Sequence, residues 1–221
     1  MDLSTAENLA VTDHLLTTTR SVRKRLDFER PVDLAVIREC LEIAIQAPSG
    51  SNRQGWHFVV VADAEKRKQI GALYQQSFDI YRPPASRTAP AEPPADPQAA
   101  QLARVIDSAT YLSQHMHRAP VLVIPCIEGR LEDPSPGTQA GFYGSILPAA
   151  WSLMLALRAR GLGTAWTTLH LRYEQEVAQI LGIPDNIIQA ALLPVAYFKG
   201  SDFKRAKRIP AEEVTHWDGW A

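Results

Sequence analysis

Ala47-Pro48-Ser49-Gly50-Ser51-Asn52-Arg53-Gln54-Gly55-Trp56-His57-Phe58-Val59-Val60-Val61-Ala62 joins a polar, glycine-punctuated loop directly to an apolar, β-branched run. Trp56 to Ala62 has the length and composition of a buried strand. Before the loop, Leu34, Ile37, Leu41, Ala44 and Ile45 recur at helical spacing behind Asp33, a capping residue, and Ala47-Pro48-Ser49-Gly50 stops that helix. Asp63 then starts another helix, to about Ser77. Towards the N-terminus, Ser4-Thr5-Ala6-Glu7 is a capping box that opens a first helix to about Thr18.

Towards the C-terminus the pattern predicts a helix from about Gln98 to His117, a strand from Pro120 to Ile127 and a turn from Gly129 to Gly137. Next comes the most apolar helix, roughly Gly141 to Arg160. Its Ile146, Leu147, Ala150, Trp151, Met154, Leu155 and Leu157 cover nearly every face, which predicts burial on all sides. Gly161 stands in C-cap position. Gly163 to Leu169 reads as a strand, Glu174 to Leu181 as a short helix and Ala190 to Phe198 as a last strand. Periodicity thus predicts one α/β or α+β domain over residues 1–221 with about four strands.

Composition narrows the function classes. The 221 residues are 46% hydrophobic and 21% charged, close to an ordinary soluble enzyme. Lys+Arg 23 against Asp+Glu 24 leaves −1, without the basic excess of a nucleic-acid binder. Cys40 and Cys126 sit in apolar runs and read as buried thiols, with no C-x-x-C pair. Met1 to Ala10 lacks the basic and apolar regions of a signal peptide. No apolar run of 18 residues is expected, so neither a membrane span nor a membrane partner is predicted, and the expected location is cytoplasmic. Residues 82–97 hold 6 of the 16 prolines and read as a lid or insertion; residues 199–221 form a C-terminal arm.

Two segments concentrate positive charge, Arg20-Ser21-Val22-Arg23-Lys24-Arg25 and Lys204-Arg205-Ala206-Lys207-Arg208. Solvated surface charge is the plain account. Arg-Ser-x-Arg nevertheless gathers two guanidinium forks, a hydroxyl and backbone N–H groups, the parts a phosphate monoester needs. Ser49, Asn52 and Gln54 supply hydroxyl and amide partners just before a buried strand, where the edge of a polar heterocycle could be read. Gly161-Leu162-Gly163-Thr164-Ala165-Trp166-Thr167-Thr168 lacks the third glycine of a dinucleotide fingerprint and opens a strand rather than a helix. His115 and His117 point apart on a helix, so no metal pair is expected. His57 and His170 flank strands and read as core or rim residues. No G-x-S-x-G elbow is present.

Taken together and in order, four motifs carry a resemblance: T-R-S-V-R-K-R-L-D, A-P-S-G-S-N-R-Q-G-W-H-F, G-L-G-T-A-W-T-T and K-R-I-P-A-E-E-V-T-H-W. The chain resembles the FMN-dependent nitroreductase family over nearly its whole length. The resemblance implies an α+β, three-layer α/β/α fold, with a mixed, mostly antiparallel sheet of about four to five strands around a central apolar helix. It implies that Arg20, Ser21 and Arg23, with Arg208 and Lys207, grip the flavin phosphate and ribityl chain. It implies that Pro48, Ser49, Asn52 and Gln54 lie along the ribityl and isoalloxazine, and that backbone N–H groups of Trp166, Thr167, Thr168 and Leu169 face flavin N5 and O4. Thr19 replaces an arginine that many members carry, a charge that Lys24, Arg25 or the tail could replace. Thr168 stands where some members are acidic.

The implied activity is ping-pong hydride transfer from NADH or NADPH through FMN to a small oxidised acceptor such as a nitro compound or quinone, with no catalytic side chain. The implied assembly is a homodimer with FMN at the interface, the 141–160 helix at its centre and the tail embracing the partner. Rivals within the fold are a dehalogenase and a flavin-destroying enzyme; outside it, a flavin- or deazaflavin-binding protein without turnover.

Overall fold

The computed structural model describes residues 2–82, 95–131 and 135–220. Their contacts separate two compact units, Arg20–Gly200 and the pair Met1–Thr19 with Ser201–Ala221.

The larger unit is built on β3 (Val121–Glu128), whose eight residues are buried except for Glu128. A strand buried on both faces is apolar without alternation, as Val121-Leu122-Val123-Ile124 is. It pairs with β2 (Trp56–Val61) from Trp56 opposite Ile127 to Val61 opposite Leu122. Its other edge takes β6 (Leu193–Phe198) and β5 (Ile187–Gln189). β6 in turn pairs with β1 (Leu26–Asp27) and β4 (Leu162–Thr164). The sheet has six strands rather than four or five, and every pairing among the described residues is antiparallel. β1 and β5 are too short to leave a period in the sequence.

Val121 and Val123 pack with Val195 and Leu193 against α2 (Leu34–Ala44) and α6 (Leu147–Ala159), which contribute Ile37, Cys40, Leu153, Met154 and Leu157. The alternate residues Leu122 and Ile124 are equally buried and point to the opposite face. There α3 (Ala64–Tyr81) and α4 (Pro97–His115) pack on each other and bury Ile70, Phe78 and Leu112. This is the three-layer α/β/α arrangement. Asp33, Asp63 and Asp96 cap α2, α3 and α4 by accepting from backbone N–H groups. α7 (Glu174–Leu181) has the bounds that periodicity predicts.

Several expectations are corrected. The run expected as one helix over 141–160 is two, α5 (Pro136–Gly144) and α6, broken at Ser145 and Ile146. Pro148 has no N–H to give Gly144 and its ring would meet that carbonyl, so a continuous helix cannot form. α6 is not buried on all sides: Leu147, Trp151 and Leu155, one turn apart, leave a stripe partly open, with Trp151 at 40% exposure. Within Pro136–Ala159 an 18-residue window has a mean hydropathy of 1.4 and so passes a length-and-composition test for a membrane-crossing helix, which was not expected from the sequence, although the break at Ser145 and Ile146 divides the stretch into two helices. The strand expected over 163–169 is only β4 to Thr164; beyond it Thr167 makes an isolated bridge to Leu192, and Leu169 to Tyr173 form a 3-10 helix. α3 continues to Tyr81 rather than Ser77. Most of the Pro-rich stretch 82–97 lies outside the described residues.

In the smaller unit, α1 (Ala6–Thr18) is capped by Thr5, one residue later than the capping box suggests. His14 pairs with Asp202 at 2.7 Å. Leu9, Val11 and Leu16 are exposed on α1, as are Ile209, Val214, Trp217 and Trp220 on the tail.

One close approach fixes the geometry around the site. The Val22 N–H donates to the Thr164 carbonyl at 2.7 Å, and a Cβ on Gly163 would lie 3.0 Å from Val22 Cβ. Gly163→Ala should therefore destabilise the chain by about 1–3 kcal/mol through overpacking. Urea unfolding checks it: an unchanged midpoint would mean that Val22 can retreat freely.

Candidate functional site

The docking of Val22 holds the Arg20–Arg25 segment against the end of β4. Val22 is buried, while Arg20 and Ser21 are exposed and Arg23 is half-buried. Two of the neighbouring cations already serve the fold. Lys24 pairs with Asp107, and Arg25 Nε donates to the Lys199 carbonyl at 2.6 Å. Neither is therefore a free substitute for the charge absent at Thr19. Arg23 differs: no carboxylate pairs with it among the described residues. Burial holds its guanidinium below the usual arginine range, the nearby Tyr74 opposes that shift, and the like charge of Arg20 adds to it. A half-buried cation beside a second cation is electrostatically incomplete and suits an anionic ligand.

Thr167 belongs to the same cluster. Its hydroxyl donates to the Leu192 carbonyl at 2.6 Å, and its own carbonyl accepts from Leu192 N–H at 2.8 Å. Tyr74, on α3, is 4% exposed and lies near Thr167 and Arg23. Burial pushes the Tyr74 phenol up to about 12, against the pull of the Arg23 charge and of the neighbouring Thr167 hydroxyl. Thus the structure brings Arg20, Arg23 and Thr167 together through a tyrosine that motif reading missed. The signal was available: Ile70, Tyr74 and Phe78 fall one turn apart on the buried stripe of α3, and a phenol there must bring its hydroxyl to a partner. Trp166 packs on the core beside this segment, Leu169 is half-buried and Thr168 is exposed.

The Pro48–Gln54 loop forms a second place. Ser49 Oγ accepts from the Gln54 N–H at 3.1 Å, and Gln54 Nε2 donates to Asn52 Oδ1 at 3.1 Å. The Gly50 N–H donates to Ser145 Oγ at 2.9 Å, which ties the loop to the end of α5. Ser51, Asn52 and Gln54 have φ of 54°, 53° and 53°, a left-handed backbone that costs non-glycine residues energy and concentrates at functional sites. The loop lines a cavity of about 470 Å³ with Glu128, Thr138 and Phe142. Lys207 and Arg208 belong to the smaller unit, where both are exposed. Among the described residues, no group of three His, Cys, Asp or Glu could hold a metal ion.

Comparison with known proteins sets this geometry in context. The model of the nitroreductase family matches residues 16–197. An NADH dehydrogenase of Thermus thermophilus is 29% identical over 90% of this chain and 91% of its own length. Two solved structures share the fold, each with a TM-score of 0.65 and each covering 93% of this chain and 98% of its own. One is an FMN- and NADPH-dependent nitroreductase from sphigopyxis sp. strain HMH, at 23% identity, and the other an iodotyrosine deiodinase bound to FMN and 3-iodo-L-tyrosine, at 22%.

His170, just past the Thr167 segment, is wholly buried, and neither ring nitrogen has a partner among the described residues. His57 is exposed on the edge strand β2. Burial drives the His170 pKa down to about 3, so its ring stays neutral in the folded chain. The unfolded chain protonates it near 6.5 and so binds one more proton between those values. Stability is then lost as pH falls from about 6.5, by up to ~1.4 kcal/mol per pH unit from this group. His170→Leu should flatten that dependence. Denaturation midpoints between pH 6.5 and 4.5 that change equally in both proteins would contradict it.

Proposed function

Because this chain belongs to the nitroreductase family, we propose that it is an FMN-dependent oxidoreductase, drawing on NADH or NADPH to reduce a small oxidised acceptor such as a nitro compound or quinone. The observation that carries the reading is Arg23, a half-buried guanidinium without a carboxylate partner among the described residues, held beside Arg20 and Thr167. Such a site fits a ligand that is anionic at one end and offers a polar heterocycle at the other.

In this reading Arg20, Ser21 and Arg23 bind the phosphate and ribityl portion. Pro48, Ser49, Asn52 and Gln54 lie along the ribityl and ring, and the backbone N–H groups of Trp166 to Leu169 meet the ring edge. When bound, FMN would supply the redox chemistry, relaying hydride equivalents from a nicotinamide donor to the acceptor. The protein's own part is binding, orientation and positive charge at the ring, so no side chain is assigned a catalytic role. Homodimerisation is supported by the open stripe of Leu147, Trp151 and Leu155 and by the exposed apolar groups of α1 and the tail. Large apolar interfaces are a mark of obligate dimers. The likeness to an iodotyrosine deiodinase bound to 3-iodo-L-tyrosine favours halogenated phenols as a second acceptor class.

The purified protein should be yellow and release FMN on heating, at about one per chain, and a colourless protein that fails to take up FMN would sink the reading. Arg23→Ala should remove a charge-assisted contact of about 1.5–3 kcal/mol, weakening FMN binding roughly 10- to 100-fold. Arg130→Ala, which loses a pairing with Glu174, is the control. Donor and acceptor visiting one site in turn should give parallel double-reciprocal lines. Intersecting lines would instead require a second nucleotide site.

A further inference from the structure

We propose that the cavity beside the Pro48–Gln54 loop selects zwitterionic aromatic acceptors, with Arg53 holding the carboxylate and Glu128 the ammonium group. This inference rests on the FMN reading above, because a loop that lies along the ring makes the cavity it lines the place where an acceptor meets that ring.

Arg53 and Glu128 line the same cavity of about 470 Å³. They carry opposite charges, yet no ion pair joins them, and neither side chain has an ion-pair partner among the described residues. Two unlike charges set apart in one cavity give little net attraction to a ligand of a single sign, since one attracts what the other repels. A ligand that carries both charges gains from each, and only in one orientation. Complementarity of this kind acts on selectivity more than on raw affinity.

Both residues stand on backbone that is held in place. Glu128 is the one exposed residue of β3. Its N–H donates to the Gly55 carbonyl at 2.8 Å, and it pairs opposite Ile187 of β5. The Arg53 N–H donates to the Gly50 carbonyl at 3.1 Å. Arg53 is also flanked by Asn52 and Gln54, both with φ of 53°. A left-handed residue on each side costs energy and fixes the direction in which Arg53 leaves the chain.

The rest of the lining suits a flat ring. Gly137 and Gly141 lie one turn apart on α5, and a Cβ at either would meet nothing within 4 Å. Their backbone is open to a ligand, while Phe142 and Ile127 supply apolar contact. A few polar groups on an apolar lining, in a space of this size, is the usual make-up of a small-molecule site.

The test measures kcat/KM of the FMN-loaded protein at neutral pH for four acceptors that share one nitroaryl group. para-Nitro-L-phenylalanine carries both charges, para-nitrophenylpropanoate the carboxylate alone, para-nitrophenethylamine the ammonium alone and para-nitrotoluene neither. The zwitterion should be used best, and its advantage should shrink as salt rises. Arg53→Gln and Glu128→Gln should each lower kcat/KM for the zwitterion roughly fivefold, the upper range for one exposed ion pair. Arg53→Gln should also improve use of the amine, and Glu128→Gln use of the carboxylate, because each removes a repulsion. Both variants should keep the wild-type rate on para-nitrotoluene, a sign that fold and flavin are intact. The same ranking of the four acceptors in wild type and both variants would overturn the proposal. If a variant loses para-nitrotoluene activity too, wild type decides: a zwitterion that is not used best, or an advantage indifferent to salt, also overturns it. A wild type that takes up no FMN would sink the reading beneath, whereas one that reduces para-nitrotoluene without favouring the zwitterion would sink this inference alone.

Discussion

A single backbone hydrogen bond, Val22 N–H to Thr164 O, decides where the basic segment lies. It acts with the missing side chain of Gly163, which lets Val22 come within contact distance of the strand backbone. Without that approach Arg23 would stand in solvent, where a cation needs no partner. With it, Arg23 is half-buried next to Tyr74 and Thr167, and its charge becomes a requirement that the fold itself does not meet. The six-stranded sheet presents β4 at the place where this can happen.

Much of the architecture was readable from the sequence because the physics is local. Asp33 and Asp63 announce helix starts by their capping oxygens, and the β-branched Trp56–Val61 run reads as a strand, although at the sheet edge only Val61 of it is buried rather than the whole run. The 174–181 helix followed from its charged first turn and the glycine after it. What was not readable depends on distant partners. β1 and β5 exist only because β6 and β3 offer free edges to them. The break between α5 and α6 was legible in Pro148 and was outweighed by the continuous apolar character around it.

The site divides in the same way. Arg20, Arg23 and Thr167 could be picked out as motif residues, and the structure brings them together. The motifs could not say which cations were spoken for: Lys24 and Arg25 look equivalent to Arg23 in the sequence, yet Asp107 and the Lys199 carbonyl engage them. Tyr74 was missed because a tyrosine on a helix stripe carries no motif, only a burial pattern with a polar tip.

The five tryptophans make the chain its own spectroscopic reporter. Trp56 and Trp166 lie in partly shielded surroundings beside the loop and the Thr167 segment, whereas Trp217 and Trp220 are 85% and 91% exposed, the latter stacked on His216. Indole emission shifts to the red in water, so the intrinsic fluorescence is a sum of a bluer and a redder population. A quencher dissolved in the buffer reaches the redder pair first, and anything that settles over the tail would be seen as the loss of that component alone.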